Sequence, residues 1–214
     1  MPELGLFPLA IVLVPTERIP LHIFEPRYRE LIEECVENDT DFGLVLATGD
    51  GAVHEIGTRA SVLEVLEVLD DGRMNIVVEG GERFRLLELT SGRAFTTGLV
   101  EPVVDEDEPP ADADVERALV VFQELAETSE SQVDLPEPDV AQLDFELAAR
   151  VDFAVDSKQE LLAMTSPKLR MQRLTALLEA ALEAVQLEQT TRERAARNGK
   201  VTPIDPGDPL AGSG

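Results

Sequence analysis

The first half of the chain has a pattern typical of β-strands, with one clear helix among them. Short apolar runs at residues 4–9 and 10–14 are interrupted by Pro8 and followed by Pro15, which favours edge strands and turns. After Pro26, apolar residues recur at the spacing of a helix, at Tyr28, Leu31, Ile32, Cys35 and Val36. Proline is favoured at the first helical position. The pattern predicts an amphipathic helix over residues 26–38.

More strand patterns follow this helix. Apolar and β-branched residues fill the stretches 42–47, 54–69, 73–79, 83–89 and 95–104. Asp71-Gly72 predicts a hairpin between two of these stretches, and Gly80-Gly81 predicts another turn. Several strands with short connections around one helix indicate a mostly antiparallel, barrel-like sheet.

The second half is patterned for helices. Helical periodicity covers residues 114–128, residues 140–155 and a long stretch from Ser166 into the 190s. The sequence Ser157-Lys158-Gln159-Glu160 has the form of a capping box, and Ser166-Pro167 has the form of a cap followed by a proline at the first helical position. Residues 198–214 are rich in Gly, Pro, Asp and Ser, which predicts a disordered tail.

The acidic composition marks the boundary between the two halves and argues against some classes of binding partner. The formal net charge is −25, and an acidic, proline-containing segment lies at the junction. We predict a β-rich domain over residues 1–104, an acidic solvated linker over 105–113, a helical bundle over 114–197 and the tail. Such a charge repels nucleic acid and anionic membranes. Without a membrane span or a secretory signal pattern, and with one cysteine, the sequence favours the cytoplasm.

Three segments, taken in order, carry a resemblance to a known family. They are LGLFPLAIVLVPTERIPLHIFEPRYRELI at the start, residues 56–85 with the Asp71-Gly72 turn, and residues 157–178 with a K-Q-x-L-L motif and a Leu-rich helix. Together they are similar to the N-terminal substrate-binding region of Lon proteases. The resemblance implies an α+β fold, a PUA-like β pseudo-barrel with one main helix, followed by a C-terminal α-helical bundle.

The resemblance also implies a function. In the full-length proteases this region helps to recognise unfolded or degron-bearing polypeptides and supports hexamer assembly, while the ATPase and peptidase lie downstream. A P-loop needs G-x-x-x-x-G-K-[ST], but here Gly199-Lys200 is followed by Val201. The three lysines also lie outside any recognisable Ser-Lys context. We therefore expect a free-standing relative that is not an enzyme and needs no cofactor.

The best candidate for a peptide-binding site is the segment from Pro20 to Arg29. It combines apolar side chains with polar ones and suits an extended peptide, with Leu21, His22, Phe24, Glu25, Arg27 and Tyr28 as the residues we select. Glu79 and Arg83, on either side of Gly80-Gly81, would form a polar rim to the same groove. The alternative is structural: Leu21 and Phe24 belong to the core, Glu25 caps the helix, Arg27 pairs locally, and Glu79 and Arg83 form a surface ion pair beside a turn.

Two groups of residues have the types found in chemical sites, a cysteine–histidine pair and a set of histidines and glutamates. Cys35 with His22 or His54 has the residue types of a Cys-His hydrolase, but Cys35 lies on the apolar stripe of the predicted helix, where a buried, inert thiol is expected. The two histidines, with Glu25 and Glu55, match no metal-binding motif. We predict no catalytic residues and no metal site.

Three functions remain open at this point. The first is a non-catalytic polypeptide-binding module, an adaptor or chaperone-like factor that works with a separate protease or chaperone. The second is an RNA-associated protein, suggested by the implied PUA-like barrel but opposed by the net charge. The third is a hydrolase with an unrecognised site.

Overall fold

The described part of the chain folds as six strands and five helices. The computed structural model describes residues 2–49, 51–131, 134–138 and 141–198. The strands are β1 Glu3–Leu9, β2 Arg18–Ile23, β3 Phe42–Leu46, β4 Ile56–Val68, β5 Met74–Thr90 and β6 Thr96–Pro102. The helices are α1 Pro26–Asn38, α2 Asp112–Thr128, α3 Leu143–Ala148, α4 Val155–Ala163 and α5 Pro167–Asn198.

The strands form one sheet that closes into a barrel. Their order is β2-β5-β4-β3-β1-β6, and β5 also pairs with β6 to close the ring. The β1–β3 pair is parallel, and the other pairs are antiparallel. With α1 beside the sheet and four helices after it, the predicted α+β class, a barrel-like sheet followed by a helical region, is confirmed.

Several local predictions hold because their signals are local. Helix α1 spans Pro26–Asn38 with proline in its first turn, and its apolar residues Tyr28, Leu31, Ile32 and Cys35 are buried, whereas Val36 is exposed. Gly72, at the tip of the β4–β5 hairpin, has a φ of 81°, which glycine adopts without strain. Ser166 Oγ accepts a hydrogen bond from the Leu169 N–H at 3.3 Å, so the predicted cap of α5 is also confirmed.

Other local predictions were wrong. Gly80-Gly81 is not a turn, because β5 continues through both residues, with a shift of its register against β4. A Cβ on Gly80 would lie 2.1 Å from the Val14 carbonyl oxygen, so this glycine permits a close backbone approach. Residues 10–14 form no strand, although Val12, Leu13 and Val14 are buried.

The helical half also differs in detail from the prediction. Helix α4 begins at Val155 after Ala154, so Ser157 lies within its first turn and caps nothing. The helix predicted over 140–155 is the shorter α3, Leu143–Ala148, and residue 140 lies outside the described residues. The predicted tail lies outside them from residue 199 onward.

The two halves share a core. One cluster of buried side chains combines Val12, Val14, Leu46 and Ile56 of the barrel with apolar residues of all four C-terminal helices. The acidic segment between the halves contacts the helical half, because Glu106 N–H donates to the Thr165 carbonyl at 2.8 Å and Lys168 N–H to the Glu108 carbonyl at 3.2 Å. Residues 106–109 are nevertheless exposed to solvent.

Candidate functional site

Part of the sheet projects beyond the closed ring. Strand β3 pairs with β4 only as far as Phe42 opposite Ala60, and the first part of β5 pairs with β2 instead of β6. Residues 61–68 of β4, residues 74–79 of β5 and strand β2 thus form a three-stranded extension. We call this extension the arm.

Helix α1 covers one face of the arm. Its buried residues Tyr28, Leu31, Ile32 and Cys35 belong to the same core cluster as the arm residues Ile23, Met74, Ile76 and Val78. The Tyr28 ring lies against that of Phe7, with 4.1 Å between the ring centroids. Tyr28, selected from the sequence as a binding residue, is thus a core residue that packs in the same cluster as the arm.

Most other residues selected from the sequence lie at the end of β2, where α1 begins. Phe24 is 60% exposed, and its ring stacks with that of the exposed His22 at a centroid distance of 6.1 Å. Leu21 is half-buried, and Glu25 forms an ion pair with Arg27 at 2.7 Å and makes no side-chain cap. The structural alternative is thus correct for the local Arg27 pair and wrong for Phe24 in the core and for the Glu25 cap.

A polar row crosses the opposite face of the arm. The His22 Nδ1 lies 2.7 Å from Asn75 Oδ1, and Asn75 Nδ2 donates to Glu67 Oε2 at 3.0 Å. Glu79 lies on the same sheet and accepts a hydrogen bond from Arg18 Nε at 2.9 Å. His22 and Glu79 therefore lie on the arm, together with Phe24 at its end.

Arg83 lies elsewhere and does not form the rim predicted for it. Arg83 is only 5% exposed. Its guanidinium donates hydrogen bonds to the carbonyls of Leu162 and Met164 at 2.8 and 2.7 Å and forms an ion pair with Asp105. These partners belong to the helical half and the segment before it, so Arg83 joins the halves. The predicted polar rim of Glu79 and Arg83 was wrong because β5 continues between them as a strand with a shifted register, and Arg83 is buried.

The Arg83 site extends into a buried charge network. Asp105 also accepts a hydrogen bond from Arg170 at 2.7 Å, and Arg170 Nε donates to Asp144 at 2.6 Å. The guanidinium groups of Arg83 and Arg170 both lie over the Phe145 ring. Burial alone would raise the pKa of Asp105, but hydrogen bonds and charges from Arg170 and Arg83 lower it below its usual value. Burial lowers the pKa of Arg83, and Arg170 lowers it further against the effect of Asp105.

Exposed apolar side chains occur on the arm, on α1 and at the junction between them. These residues, which we call the arm surface, are between 38% and 63% exposed: Phe24, Val36, Leu63, Val65, Leu66 and Val68. Sequence reasoning selected only Phe24 among them. The sequence VLEVLEV at residues 62–68 carried a signal, since its apolar spacing fits no simple strand, and β-bulges between Val62 and Glu64 and between Val65 and Glu67 account for that spacing.

The geometry does not favour hydrolysis by Cys35. The thiol is buried, and this burial raises its pKa, so it lacks the thiolate character of a nucleophile. His22 is engaged with Asn75 on the arm. Within the described residues, no group of three or more His, Cys, Asp or Glu side chains is arranged to hold a metal ion.

The surface charges of the barrel do not favour RNA binding. Arg18, Arg27, Arg73, Arg85 and Arg93 each form an ion pair with a carboxylate. Paired in this way, they do not provide the positive face that phosphate contacts require. In the part of the chain that the structure describes, no helix is long and apolar enough to cross a membrane.

The fold and the arm surface together define an α+β module with an open apolar surface at one end of its barrel. Residues 3–180 match the family model of the ATP-dependent protease La (LON) substrate-binding domain. The chain belongs to this family, and the resemblance stated from its sequence is confirmed.

Solved structures and curated relatives agree with this assignment. The Lon N-terminal domain protein from Xanthomonas campestris is 26% identical with a TM-score of 0.66, covering 82% of this chain and 98% of that one. The N-terminal domain of Mycobacterium avium complex Lon protease, at 15% identity and a TM-score of 0.63 over 83% and 98% of the two chains, shares the fold. The Lon protease of Escherichia coli strain K12 is 28% identical over 90% of this chain, which spans 26% of the length of that relative.

Proposed function

We propose that the chain is a polypeptide-recognition module that binds unfolded or degron-bearing polypeptides through the arm surface, without catalysis of its own. One observation carries the proposal: six large apolar side chains, 38% to 63% exposed, belong to the arm, to α1 and to the junction between them in a substrate-binding-domain fold. An exposed apolar patch on a folded protein commonly marks an interaction surface.

Burial of apolar area supplies the affinity at about 25 cal/mol per Å² and needs no particular sequence. Exposed aliphatic and aromatic side chains of an unfolded client would cover Phe24, Leu66 and Val68, which are 60%, 53% and 63% exposed. The polar row of His22, Asn75 and Glu67, whose His22 ring stacks with Phe24, offers hydrogen-bonding groups to the client backbone. The surface therefore suits many clients with a shared apolar character.

The proposed site keeps part of the selection made from the sequence. Phe24, His22 and Leu21 contribute directly, while Glu25 and Arg27 border the surface as an ion pair. Tyr28 holds α1 beneath it, Glu79 lies farther along the arm, and Arg83 has a role only between the two halves. We add residues 63–68 of β4.

We further propose that the chain acts in the cytoplasm as an adaptor or chaperone-like factor that holds clients for a separate protease or chaperone. This role rests on the family, whose model is named for substrate binding, and on the free, buried Cys35, which suits a reducing compartment. The acidic composition, with a net charge of −25, would keep such a factor soluble while it presents an apolar surface.

A titration tests the proposal. Fluorescently labelled, reduced and carboxymethylated α-lactalbumin serves as the unfolded client, and its anisotropy is followed without ATP. We expect saturable binding that weakens at least about threefold in Leu66→Ser and in Phe24→Ser, because each change removes exposed apolar area.

Leu187→Ser is the matched control, since Leu187 is 69% exposed on α5, away from the arm. It should leave binding unchanged. No saturable binding by the wild-type chain, or equal loss in Leu66→Ser and Leu187→Ser, would contradict the proposal.

A further inference from the structure

One edge of β4 is open along the arm. Residues 61–68 pair with β5 on one side, whereas the pairing of β4 with β3 ends at Ala60. Among the described residues, no strand pairs with the other edge of residues 61–68. The segment contains no proline and has two acidic residues, Glu64 and Glu67, among its aliphatic ones. Open edges of this kind are templates for another strand.

The backbone groups at this edge can be assigned from the sheet register. The Leu69 N–H donates to the Arg73 carbonyl and the Gly80 N–H donates to the Glu17 carbonyl, both at the ends of the arm segment of β5. Successive residues of a strand direct their backbone groups to opposite neighbours. Odd-numbered residues of this segment therefore face β4, and the even-numbered ones face β2. The even-numbered β5 residues make no backbone hydrogen bonds to β4. Their partners on β4 therefore direct their own N–H and C=O groups to the open edge, and these partners are Val62, Val65 and Val68.

A groove follows the open edge. It has a volume of about 190 Å³ and lies between the C-terminal end of α1 and residues 61–65. Val36, Leu63 and Val65 supply its exposed apolar side chains.

The groove is also acidic. Asp39, Asp41 and Glu64 line it, and none of its lining residues is basic. Arg59 lines the adjoining groove with Asp39 and Asp41 and offsets part of their charge, whereas Glu64 lines only the groove along the edge.

We propose that an extended client segment rich in aliphatic and basic residues adds to residues 61–68 as a further strand. This inference rests on the proposed function and specifies its binding mode and client class. Backbone hydrogen bonds at the edge would hold any sequence, the apolar groove would take aliphatic side chains, and the acidic rim would select lysine and arginine. Eight residues of β4 extend about 26 Å, enough for a strand of ordinary length.

Charge argues against a second copy of this chain as the occupant. Pairing of two arms through this edge would bring together two acidic segments, each with Glu64 and Glu67, from chains with a net charge of −25 each. Like charges brought close together repel each other. A basic client removes this repulsion.

The test uses three labelled twelve-residue peptides and the full chain, with binding measured by fluorescence anisotropy. The first alternates valine and lysine, the second alternates valine and glutamate, and the third is the first with every other backbone nitrogen methylated. We expect the lysine peptide to bind, and the other two to bind at least about tenfold more weakly, because one lacks complementary charge and the other lacks backbone donors.

Two protein variants test the edge from the other side. Val65→Pro removes one edge N–H without removing a hydrogen bond to β5, and it should weaken binding of the lysine peptide. Val65→Thr keeps the N–H and the branched shape, so it should bind more tightly than Val65→Pro. Circular dichroism and urea unfolding of both variants confirm that each remains folded.

Distinct outcomes separate this inference from the proposed function. If unfolded α-lactalbumin binds while the methylated peptide binds as tightly as its parent, strand addition is overturned and polypeptide recognition stands. Equal binding of the lysine and glutamate peptides overturns selection by charge. A concentration-dependent dimer in sedimentation that disappears in Val65→Pro would assign the edge to a second copy and overturn the client proposal.

Discussion

Lys158 of α4 and Glu17 of the barrel form a buried ion pair with 2.5 Å between Nζ and Oε1. Their side chains are 11% and 9% exposed, and the other Glu17 oxygen accepts a hydrogen bond from the Val14 N–H at 3.0 Å. Gln159, the next residue, donates to the Ile56 carbonyl at 3.0 Å. Helix α4 is thus fixed to the barrel by polar contacts as well as by the shared apolar core.

Replacing Lys158 with Met should destabilise the whole chain. The change leaves the Glu17 carboxylate buried without its partner, and loss of one member of a buried pair costs about 3 kcal/mol or more. Urea unfolding measures the change in the free energy of unfolding. The control is Arg192→Met, which removes an exposed pair with Glu188 and should change stability by less than about 0.5 kcal/mol. Equal, small effects of the two changes would show that the Lys158 pair does not hold the halves together.

The Asp105 network makes stability depend on pH at the acidic end. The pKa of Asp105 is lowered in the folded state, so its ion pairs stabilise the fold fully above the unfolded carboxyl pKa of about 3.9. This contribution is lost as pH falls through the lower folded pKa. Wild type should therefore exceed Asp105→Asn in stability at pH 7, and the difference should shrink below about pH 4. Urea unfolding of both proteins across this range measures it, and a difference independent of pH would contradict the assignment.

Two adjacent glycines should respond in opposite ways to alanine. A Cβ on Gly80 would lie 2.1 Å from the Val14 carbonyl oxygen, whereas a Cβ on Gly81 would meet its nearest atom, the Arg59 carbonyl oxygen, at 3.6 Å. Gly80→Ala should cost about 3 kcal/mol because backbone must move. Gly81→Ala should be neutral or stabilise by up to about 1 kcal/mol, because it restricts the unfolded chain. Thermal unfolding compares the two, and similar melting temperatures would contradict the close packing of Gly80.

The parts of the fold that sequence predicted are those decided within a few residues. Pro26 and the apolar spacing after it are sufficient to predict α1, and Asp71-Gly72 is sufficient to predict the β4–β5 hairpin. Gly80-Gly81 has the composition of a turn, but its role depends on Val14, which is distant in sequence. Ser157 has the pattern of a cap, but α4 begins two residues earlier at Val155. In both cases, the predicted turn and the predicted cap, contacts with distant parts of the chain determine the structure.

In the candidate site, too, local features could be predicted from the sequence and long-range features could not. Phe24 was selected because an apolar residue in a polar segment before a helix is a local pattern. Arg83 was misplaced because its partners, the Leu162 and Met164 carbonyls and Asp105, come from other parts of the chain. The open edge of residues 61–68 depends on where the β3 pairing stops, a long-range feature that no spacing of residues reports.

Nuclear magnetic resonance of the isotopically labelled chain locates the binding of unfolded polypeptides residue by residue. Amide signals would be followed while unlabelled, reduced and carboxymethylated α-lactalbumin is added. Because we propose binding at the arm surface, we expect shifts and line broadening at Phe24, Val36 and residues 61–68, with the amides around Leu187 unchanged. Perturbations confined to the helical half, or none at saturating client, would contradict it.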